Sequence, residues 1–271
     1  MIMAKYETID VTHDDRGILG IRLSRPEKRN AFNAEMIQEL TQVLLNEASE
    51  SDVRTVVLSG DGKVFCAGGD LNWMKKSVDL TYEENLQDTR DLTEMFALFN
   101  ELPKPVVGLV HGAAIGGAVG LVSVCDLVLC VKGTIFGLSE VRLGLIPACI
   151  GPFVVSKIGA SHARGLFMIG ERFDAQRAYE VGLVHKIVSD EKSLKTEADI
   201  LIDNILACAP SAMAHAKKLV LDLSWPERRA EVENCYEYVA EVLAQLRVSV
   251  EGQEGVRAFL EKRKPSWLVG N

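Results

Sequence analysis

The chain has 271 residues, with 30 Lys and Arg against 38 Asp and Glu, which gives a formal net charge of −8. Hydrophobic residues make up 48% and charged residues 25%, a globular mixture that excludes disorder as the dominant state. The acidic balance disfavours a protein that binds nucleic acid through bulk phosphate neutralisation. No apolar run approaches about 18 residues, so no membrane span is expected. Because residues 1–10 show no secretory signal, we expect a cytoplasmic protein.

The cysteines and histidines do not form a recognisable metal or disulfide pattern. Six cysteines are scattered without a CxxC pair, which is typical of reduced, mostly buried thiols. The five histidines form no HExxH or HxH pattern, so no metal site is expected. The sequence also lacks a GxSxG motif, which removes support for a serine hydrolase.

Strand and helix patterns alternate through about residue 190, which predicts an α/β core. Residues 17–25 alternate as a half-buried strand does, and residues 55–58, 106–110 and 127–131 are apolar runs suited to a parallel sheet. Between them, Asn33 is placed to cap one helix. Thr81 and Glu84 have the spacing of a capping box for a second helix, which should end before Pro103.

The last third of the chain is predicted to be helical. Pro226 is placed to begin a helix whose apolar positions are Val232, Cys235, Val239, Val242 and Leu246, with Tyr236 and Leu243 widening the stripe. Two interpretations of this wide stripe remain open at this point, packing within the same domain and contact with another subunit. We divide the chain into a core, residues 1–205, and a helical region, residues 206–271.

Two glycine-rich segments each follow an apolar strand. They are residues 63–71, KVFCAGGDL, and residues 111–120, HGAAIGGAVG, and neither matches a dinucleotide or P-loop motif. Adjacent glycines allow a backbone to approach a ligand closely, and the helix expected after Gly117 would expose its first N–H groups. Asp70 is suited to cap a helix over residues 71–76 and so to fix the loop that presents Ala67. The two loops could therefore direct two N–H donors at one carbonyl oxygen, although plain tight turns are the alternative.

Glu140 is the candidate chemical group, because it lies among apolar and small residues in FGLSEVRLGLIP, residues 136–147. A carboxylate in such a setting is either exposed on an irregular turn or buried for a purpose. Trp73 and Met74 fit an apolar pocket and an ordinary core equally well, whereas Leu92, Met95 and Phe96 favour the core.

Several segments resemble the crotonase superfamily, the enoyl-CoA hydratase/isomerase family, in wording, order and spacing. These segments are RPEKRNAFN (residues 25–33), CAGGDL (66–71), HGAAIGGAVGLVSVCD (111–126), FGLSEVRLGLIP (136–147), IGERFDA (169–175) and AFLEKRK (258–264). The resemblance covers essentially the whole chain. It implies a spiral of ββα turns with a C-terminal helical region that assembles homotrimers or homohexamers.

The resemblance also implies an acyl-CoA thioester substrate and no separate cofactor, because coenzyme A is part of the substrate. It places the oxyanion-hole N–H groups at Ala67 and Gly117 and a catalytic carboxylate at Glu140. The substrate-binding positions that it implies are Lys28, Arg29, Ala31, Phe32, Ala67, Gly69, Asp70, Leu71, Ile115, Gly116, Gly117, Phe259 and Lys262. No nucleic acid, membrane or metal partner is expected.

One position departs from the usual hydratase pattern, because Gly120 stands where many hydratases have a second glutamate. Two branches of the family carry one carboxylate at the position of Glu140, namely some Δ3,Δ2-enoyl-CoA isomerases and the bacterial methylglutaconyl-CoA hydratases. The local wording DLNWM (residues 70–74) and VGLV (119–122) resembles the second branch. The sequence therefore favours a hydratase of methylglutaconyl-CoA or a related branched enoyl-CoA, in leucine or fatty acid metabolism. The first alternative is an isomerase. A thioester hydrolase or decarboxylase is less favoured, and an RNA-binding relative is an alternative of a different class.

Overall fold

The computed structural model describes residues 6–232 and 234–268. Within these residues the strands are β1 (Ile9–His13), β2 (Ile18–Leu23), β3 (Thr55–Gly60), β4 (Val106–Val110), β5 (Ala113–Ile115), β6 (Leu127–Val131), β7 (Ile135–Gly137), β8 (Arg172–Asp174) and β9 (Lys186–Val188). The helices are α1 (Ala34–Leu45), α2 (Leu71–Ser77), α3 (Tyr82–Glu101), α4 (Gly117–Val124), α5 (Gly151–Ile169), α6 (Ala175–Glu180), α7 (Glu191–Leu206), α8 (Pro210–Ser224), α9 (Pro226–Glu231), α10 (Cys235–Val248) and α11 (Val250–Leu260).

The strands form two sheets. The larger sheet has the order β1-β2-β3-β4-β6-β9, in which β1 pairs antiparallel with β2 and the other pairs are parallel. The smaller sheet has the order β5-β7-β8, and β5 and β7 are parallel. The chain thus leaves β4 for β5 and α4, and later leaves β6 for β7, which gives the repeated ββα step. The expected α/β fold with C-terminal helices is confirmed.

The four strands expected from the sequence lie at β2, β3, β4 and β6, and their apolar residues form much of the core. Val56, Leu58, Val106, Val107 and Val110 are fully buried, as expected for strands of a parallel sheet that is covered on both faces. The short strands β5, β7, β8 and β9 were not predicted, because runs of three residues are too short to show a period.

Three predicted helix starts are confirmed by their caps. The Asn33 side chain accepts a hydrogen bond from Met36 N at 3.0 Å and begins α1. Thr81 and Glu84 form the capping box of α3. Asp70 Oδ1 accepts from Asn72 N at 2.8 Å and begins α2. In each case a short polar side chain satisfies an N–H group that the helix itself leaves unpaired.

The C-terminal helical stripe is interrupted, and the prediction of one helix from Pro226 through Leu246 is wrong. α9 ends at Glu231, and α10 begins only at Cys235. Asn234 accepts hydrogen bonds from the next helix's Tyr236 and Glu237 N–H groups, so its side chain starts a new helix where the apolar spacing alone predicted continuation. α10 buries none of its residues. Contact with another subunit stays a prediction.

The chain forms two compact units. The first contains the described residues up to Leu102 together with Val106–Asp199, and the second contains Pro103–Pro105 and the described residues from Ile200 onward. The boundary falls within α7. Across the described residues, no helix has the length and apolar character that a bilayer crossing requires.

Candidate active site

The two glycine-rich loops lie side by side in the first unit. Cys66 N donates to Ala113 O at 3.1 Å, and Ile115 N donates to Cys66 O at 3.2 Å, so Cys66 pairs with Ala114 in a parallel bridge. Gly69 and Gly117 each lie three residues beyond this bridge. A methyl group built at Gly68 would lie 2.7 Å from Ile115 O, which shows how closely the two backbones approach.

The backbone N–H of Gly69 points toward the second loop. Gly68 O accepts from Phe32 N at 2.7 Å. In a planar trans peptide the C=O and the following N–H point in opposite directions, so the Gly69 N–H points away from Phe32. Among the described residues it donates to no protein acceptor. The N–H of Gly69 is therefore available to a ligand.

Ala67 does not offer such a donor, and this corrects the expectation from the sequence. Its N–H donates to Arg29 O at 3.0 Å, on the side of the loop away from β5. A donor already paired with a backbone carbonyl would have to lose that bond in order to hold an oxyanion. The free N–H lies two residues further on, at Gly69.

The Gly117 N–H is the second free donor. Gly117 is the first residue of α4, where an N–H has no partner within the helix, and within the described part of the chain it has no other protein acceptor. The Phe32 ring lies behind it, since a methyl group on Gly117 would lie 3.3 Å from Phe32 Cε2. Phe32 packs edge-on against Phe96 at a centroid distance of 6.2 Å. The residue that carries this donor, Gly117, thus packs against the buried ring of Phe32, which in turn packs against Phe96.

Two side chains hold the first loop in place. Asn30 is fully buried in a left-handed conformation at φ 53°, and its amide donates to the carbonyls of Asp61, Val64 and Phe65. Asp70 is also buried and pairs with Arg25 Nη2 at 3.0 Å. Burial alone would raise the pKa of Asp70, but hydrogen bonds from Asn72 N–H and Arg25 lower it. The sequence predicts that Asp70 fixes this loop through its helix cap, and the cap is confirmed, whereas the sequence gives no signal for the role of Asn30 or for the pairing with Arg25.

Glu140 is half-buried at the start of a short 3-10 helix, Glu140–Leu143, directly after β7. Its Oε1 would lie 3.3 Å from a methyl group built on Gly116, the residue before the Gly117 donor. Its Oε2 is buried and has no hydrogen-bond partner. Burial raises the pKa of the Glu140 carboxyl. A carboxylate that is partly desolvated and has an unused oxygen is suited to accept and return a proton.

The wall at Gly120 is apolar. A methyl group at this position would lie 2.3 Å from Ile150 Cγ2 and 2.9 Å from the Phe96 ring, so any side chain there would collide with both. Gly120 is fully enclosed within α4. The sequence has no carboxylate at this position, and the present positions of Ile150 and Phe96 leave no space for one.

The other predicted binding positions fall into two groups. The backbone of residues 29–32 runs beside residues 67–70, with Asp70 N donating to Phe32 O at 2.7 Å. Lys28, Arg29 and Leu71 are exposed near this pairing, Ala31 and Phe32 are buried, and Ile115 and Gly116 follow in the second loop. Phe259 and Lys262 belong to the second unit and are exposed, and their part in the site stays a prediction.

Two other polar groups near the loops have structural partners. The Cys66 thiol is fully buried, and this burial raises its pKa to about 12, so it stays protonated and is a poor nucleophile. The His111 ring lies 2.9 Å from Gly62 O and so joins its loop to the preceding turn. Neither group is therefore a candidate for the chemistry, which directs attention to the N–H donors of Gly69 and Gly117 and the carboxylate of Glu140.

Residues 13–269 match the family model described as enoyl-CoA hydratase/isomerase. The chain belongs to this family. A Shewanella pealeana enoyl-CoA hydratase structure is 38% identical, with a TM-score of 0.91 and coverage of 97% of each chain. An enoyl-CoA hydratase/isomerase structure from Marinobacter aquaeolei is 33% identical, with a TM-score of 0.87 over 96% of this chain and 98% of that one. The trans-2-decenoyl-[acyl-carrier-protein] isomerase of Streptococcus mutans is 30% identical over 93% of this chain and 95% of its own.

Membership of the enoyl-CoA hydratase/isomerase family makes the chain an enzyme whose substrates are expected among acyl thioesters. Its relatives include proteins named as hydratases and proteins named as isomerases, so family membership does not decide which of the two reactions this chain catalyses. Either reaction has to be explained with the groups described above, namely the N–H donors of Gly69 and Gly117 and the carboxylate of Glu140.

Proposed function

We propose that the chain is a hydratase that adds water to a 2-enoyl-CoA, with Glu140 as its acid and base. The observation that carries this proposal is the unpartnered Oε2 of Glu140, whose carboxylate lies beside Gly116, together with the free N–H groups of Gly69 and Gly117 in the two neighbouring loops. Two N–H donors and one carboxylate at one place are the groups needed for stabilising an enolate and transferring a proton.

In the proposed reaction the thioester oxygen accepts hydrogen bonds from the Gly69 and Gly117 N–H groups. Glu140 takes a proton from water while the water oxygen bonds to C3, and the electron pair of the double bond moves into the thioester enolate. The protonated Glu140 then returns that proton to C2 as the enolate collapses. The substrate gains one water molecule, and the carboxylate is regenerated. No cofactor takes part, because coenzyme A enters with the substrate.

We further propose a branched substrate of the methylglutaconyl type, in leucine or terpenoid breakdown. The support is the resemblance of residues 70–74 and 119–122 to that branch of the family. A homotrimer or homohexamer is proposed from the same resemblance. Sedimentation analysis of the purified protein measures the assembly directly.

The test of the reaction is a panel of enoyl-CoA thioesters, straight-chain, branched and carboxylated, with products identified by mass. A hydratase yields a product 18 mass units heavier, the mass of one water molecule. Glu140→Gln should lower turnover by about 10²-fold or more, because it keeps the shape of the side chain and removes the base. Glu171→Gln, at an exposed carboxylate, is the matched control. Near-full hydration by Glu140→Gln would remove Glu140 from the mechanism.

An isomerase is the second candidate, and the absence of a second carboxylate at Gly120 favours it, because one base is enough to move one proton. With one carboxylate, Glu140 could take a proton from C2 of a 3-enoyl thioester and return it to C4, which leaves the mass unchanged. The Streptococcus mutans relative carries an isomerase name. The same product analysis separates the two reactions, and salt-sensitive RNA binding without turnover of any thioester would overturn both.

A further inference from the structure

The helix beside the Gly69 donor is weakly anchored. α2 begins at Leu71, two residues after Gly69, and none of its seven residues is buried. No fully buried side chain anchors this helix, so polar contacts are important for its position.

Two side chains of α2 lie against the Gly69 peptide. A methyl group built on Gly69 would lie 3.3 Å from Met74 Cγ, 3.4 Å from Met74 Sδ and 3.9 Å from Trp73 Cε3. An oxygen bound to the Gly69 N–H would lie about 3 Å from its nitrogen. The acyl chain attached to that oxygen would therefore start close to the peptide that Trp73 and Met74 contact. Trp73 and Met74 are both half-buried, as expected for the wall of an open pocket.

A hydrogen bond connects this wall to α3. Trp73 Nε1 donates to Asp88 Oδ2 at 3.1 Å, and the contact is partly buried. At the other end of α2, Asn85 Nδ2 donates to Ser77 O at 3.2 Å. A hydrogen bond to a charged carboxylate is about twice as strong as one between neutral groups, so the bond from Trp73 is the stronger of the two.

We propose that Asp88 is a positioning residue for the acyl pocket: by holding the Trp73 indole it fixes Trp73 and Met74 against Gly69 and sets which acyl chains the pocket accepts. The proposal rests on the proposed function, since it assumes that a thioester oxygen sits at Gly69. It adds a specificity element that acts from α3 through one hydrogen bond, without a contact between Asp88 and the reacting atoms.

The experiment compares wild type with Asp88→Ala, Trp73→Phe, the double variant and Asp88→Asn. Trp73→Phe removes the donor and keeps most of the ring, and Asp88→Asn keeps an oxygen acceptor. Binding of butyryl-CoA and octanoyl-CoA is measured by calorimetry, because these saturated thioesters cannot be hydrated. The kcat/KM values for crotonyl-CoA and 2-octenoyl-CoA give the same comparison for turnover. Glu94→Ala removes an exposed carboxylate from the same helix and serves as the charge control.

We expect Asp88→Ala and Trp73→Phe each to change the butyryl-to-octanoyl affinity ratio by about threefold or more. The double variant should show no further change, because both substitutions break the same bond. Asp88→Asn should stay within about twofold of wild type, and Glu94→Ala should leave the ratio unchanged. The melting temperatures of all variants establish that they are folded.

The proposal is overturned if the folded single variants leave the ratio unchanged, if their effects add, or if Asp88→Asn behaves as Asp88→Ala does. It is also overturned if wild type binds neither saturated thioester. A shifted affinity ratio without turnover of any enoyl-CoA would instead refute the proposed reaction and leave the role of Asp88 standing.

Discussion

Gly120→Ala should destabilise the protein, although alanine is normally the better helix residue. The new Cβ would lie 2.3 Å from Ile150 Cγ2 and 2.9 Å from Phe96 Cε1 and Cζ. Ordinary contact needs about 3.4 Å, so the α4 backbone and Ile150 must separate by about 1 Å inside a close-packed core. Overpacking of this kind costs about 1–3 kcal/mol, and the helical gain of alanine over glycine returns about 0.5–1 kcal/mol. We expect a net loss of about 1–2 kcal/mol.

Thermal and urea unfolding measure this loss. For a protein of this size it corresponds to a melting temperature lower by about 2–8 °C. Gly165→Ala is the matched control, because Gly165 lies within the helix α5 and a methyl group there meets nothing within 4 Å. This variant should be as stable as wild type or slightly more stable.

A second variant tests the cause. Ile150→Ala removes the atom that Gly120→Ala would strike, and on its own should cost about 2–5 kcal/mol. Combined with Gly120→Ala it should cost less than the sum, with a coupling of about 1 kcal/mol, because the new methyl fills part of the space. An unchanged melting temperature for Gly120→Ala, or strict additivity with Ile150→Ala, would show that Ile150 and Phe96 do not close the space at Gly120. A larger side chain, such as a second carboxylate, could then be accommodated there.

Three further outcomes follow from the site. Gly117→Pro should lower kcat by at least about 10²–10³-fold, because the proline ring replaces the N–H donor and occupies the place where an oxygen would bind. Its melting temperature should fall as well, since the new Cβ would lie 3.3 Å from Phe32 Cε2 and Gly116 has a positive φ. A folded, fully active variant would exclude that N–H. Burial raises the pKa of Glu140 above its ordinary value of 4.5, so the stability held by its protonated form is lost as pH rises through the raised pKa. Glu140→Gln should therefore have a higher melting temperature than wild type at neutral pH, and the difference should disappear toward pH 4. The kcat/KM of wild type should rise with pH over the same range. A difference in melting temperature that does not depend on pH would refute this reasoning. Asn30→Ala should lower the free energy of unfolding by about 2 kcal/mol or more, read by urea titration, because it leaves buried carbonyls unpaired, whereas a loss under about 0.5 kcal/mol would contradict it.

Local signals in the sequence were reliable where one side chain decides the structure. Asn33, Asp70 and Thr81 each cap the helix that the sequence assigned to them. A cap acts over two or three residues, so its chemistry is visible in the sequence. The break between α9 and α10 was missed for a related reason. Asn234 competes with the helix through its own side chain, and the apolar spacing does not reveal this competition.

The sequence alone does not determine which backbone N–H groups of the glycine-rich loops are free. The glycine-rich loop was identified correctly as a place of close approach, but the donor was assigned to Ala67. Which N–H is free depends on what lies beside the loop, and here Arg29 O takes the Ala67 N–H while Phe32 takes Gly68 O. These partners are about 36 residues away in the chain, and no local pattern records them. The apolar wall around Gly120 is likewise built by Phe96 and Ile150, from distant elements.

The wall and the carboxylate are two parts of one arrangement. Gly116 and Gly120 are four residues apart, about one helical turn, at the start of α4. The Glu140 carboxylate lies at the first of them, and Ile150 and Phe96 fill the space at the second. Burial raises the pKa of the Glu140 carboxyl, toward the pH at which a base is most effective. With no carboxylate at Gly120, both proposed reactions, the addition of water and the movement of a double bond, assign the proton transfer to Glu140.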